Sequence, residues 1–176
     1  MASCPSESAR TQAVVWSRKA AEQGDAEAQN NLGSSYYFGQ GVKQNYLQAL
    51  YWYSKAAESG SAIAQNSLGA MYHDGHGVPQ DEEQATVWFR KAAEQGYAAA
   101  QVNLGASYYH GQGVRQDYAE AYFWMALAAS GKTEGVKQES VDKWRDDAAS
   151  HLTPADLSQV QERVRKWHEE HFPKVP

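Results

Sequence analysis

The sequence predicts an all-α protein built as an α-solenoid of antiparallel helix pairs, with about nine helices in all. Three observations predict it. First, Trp16, Trp52, Trp88 and Trp124 recur every 36 residues, and a fixed period of this length marks stacked supersecondary units. Gly33, Gly69 and Gly105 keep the same beat, as do Tyr36, Tyr72 and Tyr108, and the glycine pairs Gly39/Gly41, Gly75/Gly77 and Gly111/Gly113. Second, residues 61–96 aligned on 97–132 without gaps agree at 16 of 36 positions, where composition alone gives about two or three. Third, alanine is abundant, Ile63 is the only isoleucine, and the 6 Trp and 11 Tyr are set among small residues. That usage suits helices in close contact and argues against a sheet.

The elements follow in order. QAVVWSRKAAEQG at 12–24 reads as the second helix of an incomplete unit, behind a short polar tail. Full units then span 25–60, 61–96 and 97–131, each with a first helix, a glycine loop and a second helix. In the unit at 61–96, Ala64, Leu68 and Tyr72 lie at i, i+4 and i+8, one face of a helix. Gly69 interrupts that helix at a propensity cost of about 1 kcal/mol, which close approach of the partner helix must offset. The small residues Ala85, Ala92 and Ala93 fit such an approach. In the loop GHGVPQD, Gly75 and Gly77 supply positive φ, and Pro79 stands where no N–H is needed. Asp81 and Asp117 are N-caps of the second helices. Ala85, Trp88 and Ala92 then line one face, and Gly96 stops the helix, as Gly24 and Gly60 do in earlier units.

After Gly131 the pattern breaks. Lys132 stands where a glycine is expected, and Ser140-Val141 replaces Leu-Gly. Residues 132–172 read instead as a polar capping pair. One helix is anchored by Val136, Val141 and Trp144. The other starts on Thr153 as N-cap with Pro154 at N1 and Asp156 at N3, and carries Leu157, Val160, Val164 and Trp167 as its stripe. Residues 1–176 thus make one solenoid domain in this reading.

The shared pattern A-Q-x-x-L-G-x-x-Y-x-x-G-x-G-V-x-Q-D-x-x-x-A-x-x-W-x-x-K-A-A-x-x-G closely resembles the Sel-1-like repeat family, a relative of the tetratricopeptide repeats, over about residues 11–131. The resemblance implies a right-handed superhelix of helix pairs. It also implies adaptor roles in bacterial signalling, envelope and host-interaction pathways and in eukaryotic protein quality control.

Composition narrows the function. A net charge of -5, with the 16 Lys and Arg scattered, excludes a nucleic-acid binder of the usual basic kind. The mean hydropathy of -0.71 and the lack of a long apolar run exclude membrane insertion through a helix. Cys4 is the single cysteine, which excludes an internal disulfide and a thiolate zinc site. The start MASCPSESARTQ lacks a basic-then-apolar leader, so the cytoplasm is favoured over the periplasm.

The framework repeats, while the opposite face of each first helix varies, and in a solenoid the variable inner positions carry binding. Those positions are Asn30, Ser34, Tyr37 and Phe38 in the first unit; Asn66, Ala70, His73 and Asp74 in the second; and Val102, Ala106, Tyr109 and His110 in the third. Tyr37, His73 and Tyr109 form a candidate ladder of rings on a concave face that receives a peptide or helix of another protein. His73, Asp74 and His76 are metal-ligand types, with His110 one repeat on, but the glycine loop accounts for their spacing and no metal or other cofactor is expected. His168-Glu-Glu-His171 lacks the i, i+4 spacing of a zincin and reads as a helix C-terminus. No nucleophile elbow or phosphate loop appears, so no enzyme is expected.

Two alternatives stand beside the scaffold. Some cysteine-rich members of the family are linked to penicillin binding or β-lactam hydrolysis, but this chain lacks their disulfides and has no S-x-x-K. Self-association is the other: the incomplete first unit should leave Val14, Val15 and Trp16 short of cover, which predicts either a homodimer through that end or a longer chain that continues upstream.

Overall fold

The computed structural model describes residues 7–131 and 138–171, with side chains from residue 11 onward. Among these residues there are nine helices and no strand: α1 (Glu7–Glu22), α2 (Ala26–Phe38), α3 (Tyr46–Glu58), α4 (Ala62–Asp74), α5 (Glu82–Glu94), α6 (Ala98–His110), α7 (Tyr118–Ser130), α8 (Gln138–Ser150) and α9 (Pro154–His171). The chain forms two compact units, Met1–Trp88 and Phe89–Pro176, with the division inside α5.

In the first unit, α2 packs on both α1 and α3, and α3 packs on α4. One core joins Val14 and Ala21 of α1, Ala28 and Leu32 of α2, and Trp52 of α3. A second joins Ala49, Tyr53, Ala56 and Ala57 of α3 to Ala64, Leu68 and Met71 of α4, with Tyr72 and Trp88 packed against it. In the second unit, α7 packs on α6, α8 and α9. Val102, Met125, Ala128 and Val141 form a cluster there.

The repeated residues have repeated tasks. Each first-helix glutamine is buried and donates its side-chain N–H to a carbonyl in the last turn of the preceding helix: Gln29 to Ala21 at 3.0 Å, Gln65 to Ala57 at 3.2 Å and Gln101 to Ala93 at 3.2 Å. This bond ties consecutive repeats together, a role the spacing alone does not reveal. Asp81 accepts from the Gln84 N–H at 2.9 Å, and Asp117 from the Ala119 and Glu120 N–H groups at 2.9 and 3.0 Å, so both are N-caps as expected. Gly75 and Gly77 take φ of 70° and 77°, and the stop glycines Gly24, Gly60 and Gly96 take 95°, 91° and 82°.

At Gly33 and Gly105 the close approach takes a particular form. The space each glycine leaves is filled by a large side chain: a Cβ on Gly33 would sit 2.7 Å from Cδ1 of Tyr53, and one on Gly105 would sit 2.9 Å from Cε of Met125. Close approach therefore means a ring or thioether laid on bare backbone, alongside the small alanines.

The ends also bring corrections. Thr153 caps α9 as expected, accepting from the Asp156 N–H at 3.2 Å and donating to its carboxylate at 2.7 Å. Val141 and Val160 are buried, but Trp144 is 44% exposed. Val136 lies outside the described residues. At the other end Val14 is buried within its cluster, whereas Val15 and Trp16 are exposed as expected.

Candidate partner-binding face

The loop of each repeat fixes the geometry of the first-helix face. In the first unit Gly39 turns the chain left-handed after α2, and the Asn45 N–H returns to the Tyr36 carbonyl at 2.9 Å. Gln44 donates its side-chain N–H both to the Tyr37 carbonyl at 2.8 Å and to the Tyr46 hydroxyl at 3.1 Å. The end of α2 and the start of α3 are thereby locked side by side. The second unit repeats the device: Gln116 donates to the Tyr109 carbonyl at 2.7 Å and to the Tyr118 hydroxyl at 3.1 Å.

On this scaffold sit two aromatic clusters of one design. Tyr37 meets Phe38 edge-on at 4.8 Å and Tyr46 at 5.2 Å, and its hydroxyl is hydrogen-bonded to Nδ1 of His76 at 2.9 Å. His76 in turn stacks flat on Tyr46, 4.4 Å between centroids and 3° between planes. Burial, then the nearby Asp74 carboxylate, pushes the Tyr37 hydroxyl above the usual tyrosine range. In the second unit Tyr109 meets Tyr118 at 5.4 Å, and Tyr118 stacks on His151 at 4.1 Å and 10°. The Tyr109 hydroxyl donates to the Asp147 carboxylate, which raises its pKa.

The predicted residues divide accordingly. Tyr37 and Phe38 share one cluster, Phe38 with 62% of its surface exposed. Asp74 lies beside it, 3.9 Å from His76. Asn30 and Ser34 are half-buried on the same helix, and the amide oxygen of Asn30 is buried without a partner among the described residues. His73 does not join Tyr37. Its Nδ1 donates to the Glu82 carboxylate at 2.8 Å, so the metal-type residues His73 and His76 turn to different partners. Asn66 is half-buried, Tyr109 and His110 pack edge-on at 5.0 Å, and His110 is exposed. Val102 is corrected: only 8% exposed, it is core, because α8 lays Val141 over it.

Sequence reasoning passed over Tyr46, Tyr118 and His151, took Asp147 as part of a solvated helix face, and considered His76 only as a metal-ligand type. A signal was present. Positions 37, 73 and 109 read Tyr, His, Tyr while positions 46, 82 and 118 read Tyr, Glu, Tyr. Ring faces ring in the first and last full repeats, and imidazole faces carboxylate in the one between them.

The Sel1 repeat family model matches residues 9–25, 26–61, 62–97 and 98–132. The chain belongs to the Sel1 repeat family. Proteins of this family are typically protein-interaction scaffolds and are generally non-catalytic. Solved Sel1-type structures are similar. A protective antigen present in uropathogenic Escherichia coli strains, displaying an SLR fold, matches with a TM-score of 0.83 and 41% identity over 94% of this chain and 34% of its own. The present chain thus spans about a third of that relative. A Sel1 repeat protein from Oxalobacter formigenes matches with a TM-score of 0.67 and 36% identity over 76% of this chain and 97% of its own. Cysteine rich protein B of Helicobacter pylori, at 0.58 and 23% identity over 84% and 98%, is alike in fold alone. Among curated proteins nothing matches. The fold class is therefore the α-solenoid of Sel1 repeats, and no described helix is long and apolar enough to cross a membrane.

Proposed function

We propose that this Sel1 protein is a non-catalytic adaptor whose first-helix faces receive a peptide or helix of a partner protein. One observation supports the reading above others. The rings of Tyr37 and Tyr109 are held in place by hydrogen bonds and neighbouring rings yet remain partly open to solvent. Immobilising such side chains in advance removes an ordering cost of about 0.5–1.5 kcal/mol each from binding. Aromatic anchors of this kind dominate interface energetics. Affinity capture with wild type and with Tyr37→Ala, His73→Ala and Tyr109→Ala tests it. Specific partners should be lost from the variants; recovery equal to wild type defeats the assignment.

A second reading, a homodimer through α1, is favoured by one contrast. Trp16 is 63% exposed, whereas Trp52 and Trp124, at the same register, are each 5% exposed. A second copy would cover Val15 and Trp16 as neighbouring helices cover Trp52, and a preceding repeat in a longer chain would do the same. Sedimentation of wild type and Trp16→Glu decides it: a dimer dissociated by the substitution supports the reading, and a wild-type monomer rules it out.

A further inference from the structure

Where α2 ends and α3 begins, within the first unit, lies a cavity of about 620 Å³ lined by Tyr36, Val42, Lys43, Gln44, Asn45 and Gln48. None of these side chains is a carboxylate. Arg18 of α1 reaches the same ring: its Nη2 donates to the Tyr36 hydroxyl at 2.5 Å, and its guanidinium carbon lies 5.8 Å from the ring centroid. Neither Arg18 nor Lys43 has an ion-pair partner among the described residues. Because the Tyr36 hydroxyl accepts from Arg18, its own proton remains to be donated. The Asn45 side-chain oxygen, by contrast, is spent on the Gln48 N–H at 3.1 Å. Trp52 belongs to the cluster that Tyr36 and Val42 cover, and its buried indole N–H has no acceptor among the described residues. Buried donors as a rule find a partner, so the surplus of donors here calls for a ligand that accepts.

The arrangement recurs in the second unit, at the same register. Arg90 donates to the Tyr108 hydroxyl at 2.5 Å, its guanidinium carbon 5.5 Å from the ring centroid, beside a cavity of about 830 Å³ that Arg115 and Trp124 also line. The Trp124 indole N–H is likewise buried without an acceptor among the described residues. Carboxylates are present in this second cavity but committed: Glu120 binds Arg163 at 2.8 Å, and Asp117 accepts the Ala119 and Glu120 N–H groups. The repeat between the two carries Ser54 and Pro79 at the positions of the cations. Arginine and basic loop residue are thus present together twice and absent together once, as two halves of one device would be.

We infer that the cavity of the first unit binds a phosphate group, with Arg18 and Lys43 as its counter-charges. A guanidinium offers paired N–H donors that match two phosphate oxygens, and an ammonium adds a point charge. Two unpaired cations with no lining carboxylate suit a dianion, whereas a carboxylate ligand would neutralise only one of them. The phenol of Tyr36 holds the guanidinium in place beforehand, which lowers the ordering cost of binding. The volume exceeds that of a bare ion and leaves room for the molecule that carries the phosphate. In the second unit three guanidiniums face two carboxylates, one net positive charge, so the same ligand should bind there more weakly. Arg18, Lys43 and Gln48 are not residues of the first-helix face, and the inference does not depend on that face.

Titration of the full chain with inorganic phosphate at constant ionic strength, followed by nuclear magnetic resonance, tests it. The backbone amides of Lys43 and Gln48 and the indole N–H of Trp52 should shift saturably, and those of Arg115 and Trp124 only at higher phosphate. Arg18→Gln and Lys43→Gln should each raise the midpoint for the first unit about tenfold or more, as loss of a charged hydrogen bond does. Lys43 is exposed on a loop and Arg18 half-buried, so matching thermal melts are expected, and Lys43→Arg should keep the wild-type midpoint. A phosphoserine peptide that binds more tightly than phosphate, with its dephosphorylated form inert, supports the site and places the ligand on a protein. An equal gain with phenyl phosphate supports it and places the ligand on a small molecule. Acetate moving the same resonances at the same concentrations overturns the assignment to phosphate. A titration that does not saturate, or that neither substitution changes, overturns the site itself.

Discussion

At the scale of single residues, the same glycine position has unlike neighbours in different repeats. Alanine at a mid-helix glycine gains about 1 kcal/mol in propensity, while overpacking costs about 1–3 kcal/mol. At Gly33 the added methyl meets three atoms of the Tyr53 ring, at 2.7, 2.9 and 3.0 Å, and the ring is held within a core cluster. At Gly105 the nearest atom, at 2.9 Å, is the terminal methyl of Met125, which swings aside at small cost. Gly33→Ala should therefore lose roughly 1 kcal/mol net in urea denaturation, and Gly105→Ala should lie near neutral. Equal effects would mean that the ring yields as easily as the thioether. Tyr109 offers a second residue-scale outcome. Its hydroxyl bond to Asp147, chiefly, raises its pKa above the ordinary value of 10.0. The stabilisation belongs to the protonated phenol, so it is complete below the unfolded pKa and is lost as pH rises through the folded one. Absorbance titration should show several late-ionising tyrosines, one of which disappears in Tyr109→Phe and moves back toward the ordinary value in Asp147→Asn. An unchanged titration in Asp147→Asn would assign the shift to other causes.

At the scale of helices, the repeat is held by polar ties as much as by apolar faces. The side chain of Gln65 is buried and donates to the Ala57 carbonyl, joining the end of α3 to the start of α4. That carbonyl also accepts the Gly60 N–H at 3.1 Å, so removing the glutamine donor does not orphan it. Gln65→Met, similar in length and without the donor, should cost about 1 kcal/mol, the net worth of an ordinary hydrogen bond. A larger loss by thermal denaturation would mean that the amide does more than this one tie. Much at this scale was legible in the sequence, because period, caps and stop glycines are local: Asp117, Thr153 and Gly96 all act where their spacing puts them. The binding clusters were less legible, because they close across distance. Tyr37 meets a histidine 39 residues on, and Tyr118 stacks on His151, which follows α8 and falls outside the matched repeats. Val102 was misplaced for the same reason: register puts it on the variable face, and Val141 of α8, which does not follow the pattern, joins Met125 and Ala128 in covering it.

At the scale of the whole molecule, each compact unit carries its own buried clusters, and the second depends on a helix that is not a repeat. Val141 of α8 is 1% exposed and packs with Val102, Met125 and Ala128, residues of the last full repeat. A solenoid is stable largely through contacts between neighbouring elements, and α8, beyond the last matched repeat, covers apolar surface that would otherwise face water. Val141→Asp places a carboxylate in that seal of apolar side chains. Such a group either stays charged at a cost of several kcal/mol or takes up a proton. Hydrogen exchange should then show protection lost in α6, α7 and α8, with α2, α3 and α4 nearly unchanged, and a hydrophobic dye should bind the variant more strongly at neutral pH than at acid pH. The pH dependence separates a charged seal from a merely smaller one, because Val141→Ala removes cover without adding a titrating group. Protection lost evenly from every helix would instead mean that the chain unfolds as a single cooperative body, and that α8 seals more than the unit it belongs to.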